Sequence, residues 1–229
     1  MTVVERRIRL LLTSVVIGVL LGFGNHCFAK KVPGYIVNDA NDTIKGVITL
    51  QKFNQITGDL IVNGYDFESL YNKVVFKAVG NKRAVVYQPG MIKGFGFDFD
   101  EVGYRYNQFV VSYSSLFTGD SKRTRFLYLV YDGAIKLYSD VLYVENPSVT
   151  QGDNRYVKYN SYFLQHDVLG LLAVAKNEQF KTVRDLLRHY NVEEGFLNEI
   201  PENTVFENVV QVLRLYDQWL VNARTPKVN

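Results

Sequence analysis

The sequence predicts an α+β fold: an antiparallel β-sandwich or barrel over residues 30–165, followed by C-terminal α-helices over residues 166–229. Two observations predict it. Up to residue 165, short runs of β-branched, aromatic and aliphatic residues recur about every ten positions, separated by Gly, Asn and Asp, as in antiparallel sandwiches and barrels. After residue 179, apolar residues recur at helical spacing instead. We therefore expect a β-rich domain with a helical segment packed on it.

Residues 1–29 have the pattern of a secretory signal peptide. Three arginines precede the apolar run 10–24, and Cys27-Phe28-Ala29 offers small residues where a signal peptidase cuts. As a helix the run would rise roughly 22 Å, short of the ~30 Å hydrocarbon core of a bilayer. We therefore expect an exported protein, periplasmic or associated with the outer membrane or cell surface, with no transmembrane segment after cleavage.

Cleavage after Ala29 would also remove the single cysteine and three arginines against one glutamate. The mature chain would have no disulfide and no cysteine-based zinc site, and its net charge would fall from +3 to +1. Binding to nucleic acid depends on neutralising several phosphates, so this charge argues against a nucleic-acid partner.

A central hairpin is predicted at Phe126–Tyr131 and Ala134–Tyr138, around Asp132-Gly133. Asp-Gly favours a type I′ turn, because Gly adopts positive φ without steric cost. Both faces of the first strand are apolar, so we expect side chains such as Leu129 to be covered on both sides of the sheet.

The other predicted strands follow the same reasoning. An Asn/Asp loop at 38–42 should join two strands in a hairpin, because these side chains cap their own turns. In residues 92–99, Gly94 and Gly96 alternate with phenylalanines, which indicates a strand closely approached by another backbone. The predicted strands are 35–37, 43–50, 57–62, 74–79, 84–87, 92–99, 104–113, 125–131, 134–138, 141–144 and 156–164.

The helical segment is predicted from three patterns. Phe180, Val183, Leu187 and Tyr190 recur at helical spacing, a shorter helix is expected over 192–200, and a third helix should begin at residue 204. The third would start at a capping box, Thr204-Val-Phe-Glu207, and bury a stripe along its length. Periodicity leaves strand and helix both open for residues 167–175.

Several stretches together resemble a family of exported, uncharacterised cell-envelope proteins of Gram-negative bacteria, with a β-rich domain and a helical C-terminal segment. The resemblance spans most of the mature chain, but where Tyr-Asn often stands in the family this chain has Tyr216-Asp217. It implies a cell-envelope β-domain and brings no activity or functional residue. The stretches are 42–46, 87–95, 126–138, 162–164 and 215–217.

No sequence motif for catalysis is present: there is no nucleophile elbow, no zinc-protease motif and no phosphate-binding loop. No cofactor is therefore expected. The densest acidic cluster is Asp98, Asp100 and Glu101. Edge charges that discourage sheet-to-sheet pairing are the favoured interpretation of this cluster, and a metal site for calcium is the alternative. Lys122, Arg123 and Arg125 form a small basic turn.

These observations favour a non-enzymatic binding or assembly module, with an envelope protein or glycan as partner. The alternative is a hydrolase of envelope glycans that uses carboxylates such as Asp98, Asp100 or Glu101. The 16 Tyr and 15 Phe residues fit either a sheet core or exposed platforms for sugars and proteins. Thr43, in an Asn-x-Thr and Asp-Thr-aliphatic context, is a candidate glycosylation site.

Overall fold

The computed structural model describes residues 29–54, 57–58, 61, 64–113, 121–145, 156–166, 170–175 and 180–224. The predicted α+β class is confirmed, because antiparallel strands come first and helices follow. Nearly all of the predicted signal peptide, residues 1–28, lies outside the described residues. No helix among the described residues is long and apolar enough to cross a membrane.

The strands are β1 to β10 and the α-helices α1 to α3, in chain order, with two short 3₁₀ helices, at Ser69–Tyr71 and Phe206–Asn208. Their bounds are β1 Ala29–Val37, β2 Thr43–Gln51, β3 Val74–Ala78, β4 Val85–Tyr87, β5 Gly94–Phe99, β6 Val102–Tyr113, β7 Ser121–Asp132, β8 Lys136–Glu145, β9 Tyr156–His166, β10 Gly170–Ala173, α1 Val183–His189, α2 Glu194–Leu197 and α3 Val209–Arg224.

All ten strands belong to one antiparallel sheet in the order β10-β9-β8-β7-β6-β5-β1-β2-β3-β4. Most neighbours are consecutive along the chain, as expected for linked hairpins, and β1 lies between β2 and β5. In the described part of the chain β4 and β10 form the two edges, so the sheet is open. Residues 167–175, for which the sequence left strand and helix both open, contain the strand β10. Of the predicted strand 57–62, the described residues 57, 58 and 61 are not in a strand.

The predicted central hairpin is confirmed as β7 and β8, but its turn differs from the prediction. Asp132 pairs with Lys136, and φ of Gly133 is not in the left-handed region. Gly133 is needed for space: a Cβ there would lie 2.1 Å from Oδ2 of Asp217. Asp217 belongs to α3, so a tertiary contact sets this turn. Leu129 is also only half-buried, whereas Leu127 is fully buried.

The helices begin at residues other than those predicted. The capping box lies at Thr182, whose hydroxyl accepts from the N–H of Asp185 while the Asp185 carboxylate accepts from the N–H of Thr182. At the predicted box, Thr204 donates its hydroxyl proton to the carbonyl of Pro201, and a 3₁₀ turn precedes α3. The N–H of Thr204 also donates to the carbonyl of Pro201 at 3.1 Å, so this segment closes a turn instead of starting the helix.

Two main hydrophobic cores lie along the sheet. We call the first the aromatic core; it is built by β1, β2, β3, β5, β6 and β7 around the 3₁₀ helix Ser69–Tyr71. The second, the helix-covered core, joins Leu137 of β8 and Leu164 of β9 to the helices. The buried residues of the aromatic core are Val32, Ile36, Ile48, Leu50, Leu70, Tyr71, Val74, Phe76, Ile92, Phe95, Phe97, Tyr106 and Phe126.

Candidate functional site

The buried polar side chains of the described residues gather at the point where β7 and β8 separate. The register of β7 with β8 extends from Asp132↔Lys136 to Tyr128↔Ser139, although both strands continue beyond it. The segment 65–73, which we call the crossing segment, reaches both strands there. The buried polar residues are Asn54, Asp66, Ser69, Arg125 and Asp140.

Arg125 fills the space between the separated strands. Its Nη2 donates to the carbonyl oxygen of Val141 and to Oδ1 of Asp140, each at 2.8 Å, and its Nη1 donates to Oδ1 of Asn72. The side chain of Arg125 is 8% exposed and that of Asp140 is 0% exposed. The guanidinium therefore satisfies a backbone carbonyl of β8 and a buried carboxylate together, as buried polar groups require.

The prediction that Arg125 belongs to a basic turn with Lys122 and Arg123 is wrong, because all three residues lie in β7. Lys122 and Arg123 are exposed, but Arg125 is buried and paired with a carboxylate. Its role is to join the two halves of the sheet rather than to contact solvent.

Tyr71 of the crossing segment makes a second contact with β8. Its hydroxyl lies 3.1 Å from Oγ of Ser139. Burial raises the pKa of Tyr71 to about 12, and the charges of Asp140 and Glu68 act in the same direction. Tyr71 therefore stays neutral at physiological pH and serves as a hydrogen-bonding group.

Asp66 holds the shape of the crossing segment. Its Oδ1 accepts from the backbone N–H groups of Glu68 at 3.1 Å and Ser69 at 3.0 Å, where the 3₁₀ helix begins. Asp66 is 1% exposed. This carboxylate is committed to backbone donors, so it fixes the position of its neighbour Glu68.

Glu68 lies at the mouth of a cleft of about 530 Å³. Its Oε2 accepts from Nδ2 of Asn54 at 3.2 Å and from the hydroxyl of Tyr143, and its Oε1 accepts from Nζ of Lys158. Nδ2 of Asn54 also reaches the Tyr143 hydroxyl at 3.1 Å. The cleft is lined by Asn54, Thr57, Ile61, Tyr65, Asp66, Phe67, Glu68, Tyr143 and Tyr156.

The composition of the cleft suits a neutral polar ligand. Lys158 balances the charge of Glu68 at the mouth. The amide of Asn54 and the phenol of Tyr143 can each donate and accept hydrogen bonds. Tyr65, Phe67 and Tyr156 add aromatic surface to the walls. Pockets of this kind combine apolar walls with a few placed polar groups that orient the ligand.

The sequence-predicted carboxylates are not part of this cleft. Asp98 is exposed on β5, and Asp100 and Glu101 have φ of 49° and 65° in the two-residue turn between Phe99 and Val102. Positive φ at both central positions is the type I′ geometry that we expected at Gly133. No group of three or more His, Cys, Asp or Glu that could hold a metal occurs among the described residues.

The interpretation of these carboxylates as edge charges is wrong. β5 is hydrogen-bonded to β1 on one side and to β6 on the other, so the cluster caps a hairpin in the middle of the sheet. The one ion pair it makes within the described residues joins Asp100 to Nζ of Lys30 at 4.0 Å.

Thr43, the candidate glycosylation site, is exposed and is the first residue of β2. It pairs with Val37 across the predicted Asn/Asp hairpin, which the structure confirms. Asn38 closes the loop through hydrogen bonds to Asp42, and Asn41 is left-handed with φ of 68°. The hydroxyl is accessible, and its modification stays a prediction.

Sequence reasoning missed Glu68, Tyr143 and Lys158 because they meet from three distant segments. Glu68 is 75 residues from Tyr143 and 90 from Lys158 along the chain. One signal was available: Asp140 stands inside the apolar run that becomes β8. A charge in such a run indicates a buried partner.

Comparison with protein-family models, with curated proteins and with solved structures found no match for this chain.

Proposed function

We propose that the protein is a non-enzymatic binding module of the bacterial cell envelope, and that the cleft beside Glu68 binds a neutral, hydroxyl-rich ligand of the glycan class. The observation that carries the proposal is the meeting of Asn54, Glu68 and Tyr143 in one cleft that the buried Asp66 also lines. Such groups are costly to bury and are placed with precision, so their concentration marks a site.

The chemistry of the cleft favours binding over hydrolysis. Glycoside cleavage needs a carboxylic acid that donates a proton and a second carboxylate opposite it. The groups that contact the Glu68 carboxylate, from Asn54, Tyr143 and Lys158, all donate to it. Asp66 is held by backbone N–H groups. The hydrolase alternative based on Asp98, Asp100 and Glu101 is weakened because these exposed residues lie on β5 and the turn after it, outside the cleft.

A sugar matches this arrangement in two ways. Its hydroxyl groups can donate to and accept from the amide, phenol and carboxylate groups of the cleft, and its carbon-bound hydrogens can pack on an aromatic face such as that of Tyr65. A charged ligand would instead disturb the balance between Glu68 and Lys158.

Binding can be tested by cosedimentation of the protein with purified peptidoglycan sacculi. Wild type should sediment with the sacculi, and Glu68→Gln should bind about 10- to 100-fold more weakly, since a hydrogen bond to a charged group contributes ~1.5–3 kcal/mol. Glu207→Gln, at an exposed position on the 3₁₀ turn before α3, is the matched control and should bind like wild type.

Absence of wild-type binding, or equal binding by both variants, would overturn the cleft as a glycan site. Release of soluble sugars that depends on Glu68, detected by mass spectrometry, would instead support the hydrolase alternative.

Export is tested separately: mass spectrometry of protein isolated from its host should show Lys30 as the first residue, and a chain that keeps residues 10–24 would contradict the signal peptide.

A further inference from the structure

The outer face of β1, β2 and β3 carries three lysines, Lys31, Lys45 and Lys77, and Lys82 lies in the loop between β3 and β4. We call these four lysines the basic face. Lys31 and Lys45 alternate along their strands with the buried residues Val32 and Ile48. Lys77 pairs with Val47 of β2 and follows the buried Phe76. Because side chains alternate between faces of a sheet, the lysines of the three strands lie opposite the aromatic core.

These four lysines have no acidic partner among the described residues. No described carboxylate lies within 4.0 Å of their ammonium groups, whereas Lys30, Lys136 and Lys158 each have one. Asp98 lines the same depression as Lys45 at the border of the face. The net charge of the chain is only +3, so four lysines without a partner among the described carboxylates are a local concentration of charge.

Exposed apolar side chains also lie on the basic face. A depression of about 530 Å³ is lined by Lys31, Lys77 and Lys82 and also by Val79, which is 81% exposed. A neighbouring depression of about 360 Å³ adds Lys45 and shares Val79. Val86 of the edge strand β4 pairs with Val75, on the same side of the sheet as Lys77, and is 47% exposed. Cationic groups around protruding apolar residues suit a surface that is anionic outside and apolar just beneath.

We propose that the basic face docks on a membrane surface that contains anionic lipids. The charge complementarity between these four lysines and lipid phosphates drives the contact, and Val79 reaches toward the acyl boundary. The glycan cleft uses other residues, so the two proposals stand or fall independently. Each lysine close to an anionic surface contributes about 5-fold in binding.

The test is cosedimentation of the purified protein with lipid vesicles at about 0.1 M salt, where exposed charges still act over about 10 Å. Wild type should bind vesicles that contain phosphatidylglycerol and should not bind vesicles of phosphatidylcholine alone. The variant with Lys31→Glu, Lys45→Glu and Lys77→Glu should bind at least about 100-fold more weakly. A milder variant with Gln at the same three positions should show an intermediate loss, which keeps the test usable if charge reversal impairs folding.

The matched control is Lys122→Glu, Lys181→Glu and Arg214→Glu, which changes the net charge equally at exposed positions elsewhere. It should bind the anionic vesicles like wild type. An equal loss in the control would assign binding to net charge and overturn the basic face. Absence of wild-type binding would overturn it too, and full competition by soluble inorganic polyphosphate at matched phosphate would assign the face to a soluble polyanion instead.

Discussion

The aromatic core and the helix-covered core lie on one continuous sheet, but they are closed in different ways. In the aromatic core, rings from neighbouring strands pack on one another: Phe95 stacks on Tyr106 at 4.7 Å between ring centroids and meets Phe126 edge-on at 5.1 Å. In the helix-covered core, mostly aliphatic side chains of α1, α2 and α3, together with Phe196 and Tyr216, cover β8 and β9. The difference teaches that strands with large aromatic residues can cover much of their own face, whereas the second region depends on its helices.

The largest loss of stability is expected when α3, which covers the helix-covered core, is removed. Deleting every residue after Pro201 removes four buried side chains, Val209, Val212, Leu213 and Tyr216. At ~1.5–3 kcal/mol each this is about 6–12 kcal/mol, comparable to the ~5–15 kcal/mol stability of a whole domain. We expect aggregation and loss of the cooperative thermal transition, measured by circular dichroism.

Leu215→Gln on the exposed side of α3 is the control and should change the midpoint little. If the truncated chain stays soluble with an unchanged midpoint, α3 is a docking helix and the comparison between the two cores fails.

The next effect concerns the junction between the two regions, Arg125 and Asp140. Arg125→Ala should lower the free energy of unfolding by about 3–5 kcal/mol, because it leaves the Asp140 carboxylate buried without its cation. Combining Arg125→Met with Asp140→Leu should recover most of that loss, since no charge remains buried. Urea unfolding of the single and double variants measures both values, and a double variant no more stable than Arg125→Ala would contradict this account of the junction.

Strand β7 passes through both regions, and its burial changes along its length. Leu127 is fully buried, so Leu127→Ala should cost about 2–5 kcal/mol. Leu129 is half-buried, so Leu129→Ala should cost only about 1–2 kcal/mol, less than expected for a strand covered on both sides. Urea unfolding would distinguish them, and equal losses would show that β7 is covered uniformly.

The smallest effect tests how α3 is held on the β7–β8 turn. The Tyr131 hydroxyl donates to Oδ2 of Asp217, and the N–H of Ala134 donates to its Oδ1 at 3.0 Å. Partial burial, the hydrogen bond and the charge of Asp217 raise the pKa of Tyr131 to about 12. The folded state therefore keeps a proton that the unfolded chain loses near pH 10, so this contribution is complete below pH 10 and is lost as pH rises toward 12.

Tyr131→Phe should lower the free energy of unfolding by about 0.5–1.5 kcal/mol at pH 7, and the difference from wild type should shrink at pH 11. Urea unfolding at pH 7 and pH 11 measures this difference in the free energy of unfolding, with the exposed Tyr159→Phe as the control. A difference between Tyr131→Phe and wild type that grows with pH would contradict the direction of the shift. The burial that raises the pKa of Tyr71 persists in the variant, so part of the alkaline destabilisation should remain.

The sequence alone determined the fold class, most strands and the positions of several hairpins. Alternating apolar residues and Asn/Asp turns are local signals, and the hairpin at Val37 and Thr43 formed as these signals predicted. Gly94 likewise marked a close approach, because a Cβ there would lie 2.5 Å from the carbonyl oxygen of Tyr106. Each of these features depends on residues that are near one another in the chain.

Only the tertiary structure decided the turn at Gly133, the separation of β7 from β8 and the cleft beside Glu68. Gly133 is required by its close contact with Asp217, and Arg125 is held by its contacts with Asn72 and Asp140. Hydrogen bonds and close contacts act over a few ångströms, and periodicity carries no information about which distant segments come within that range. The residues of the candidate site come from segments that are far apart in the chain, so no local pattern in the sequence predicts that they meet.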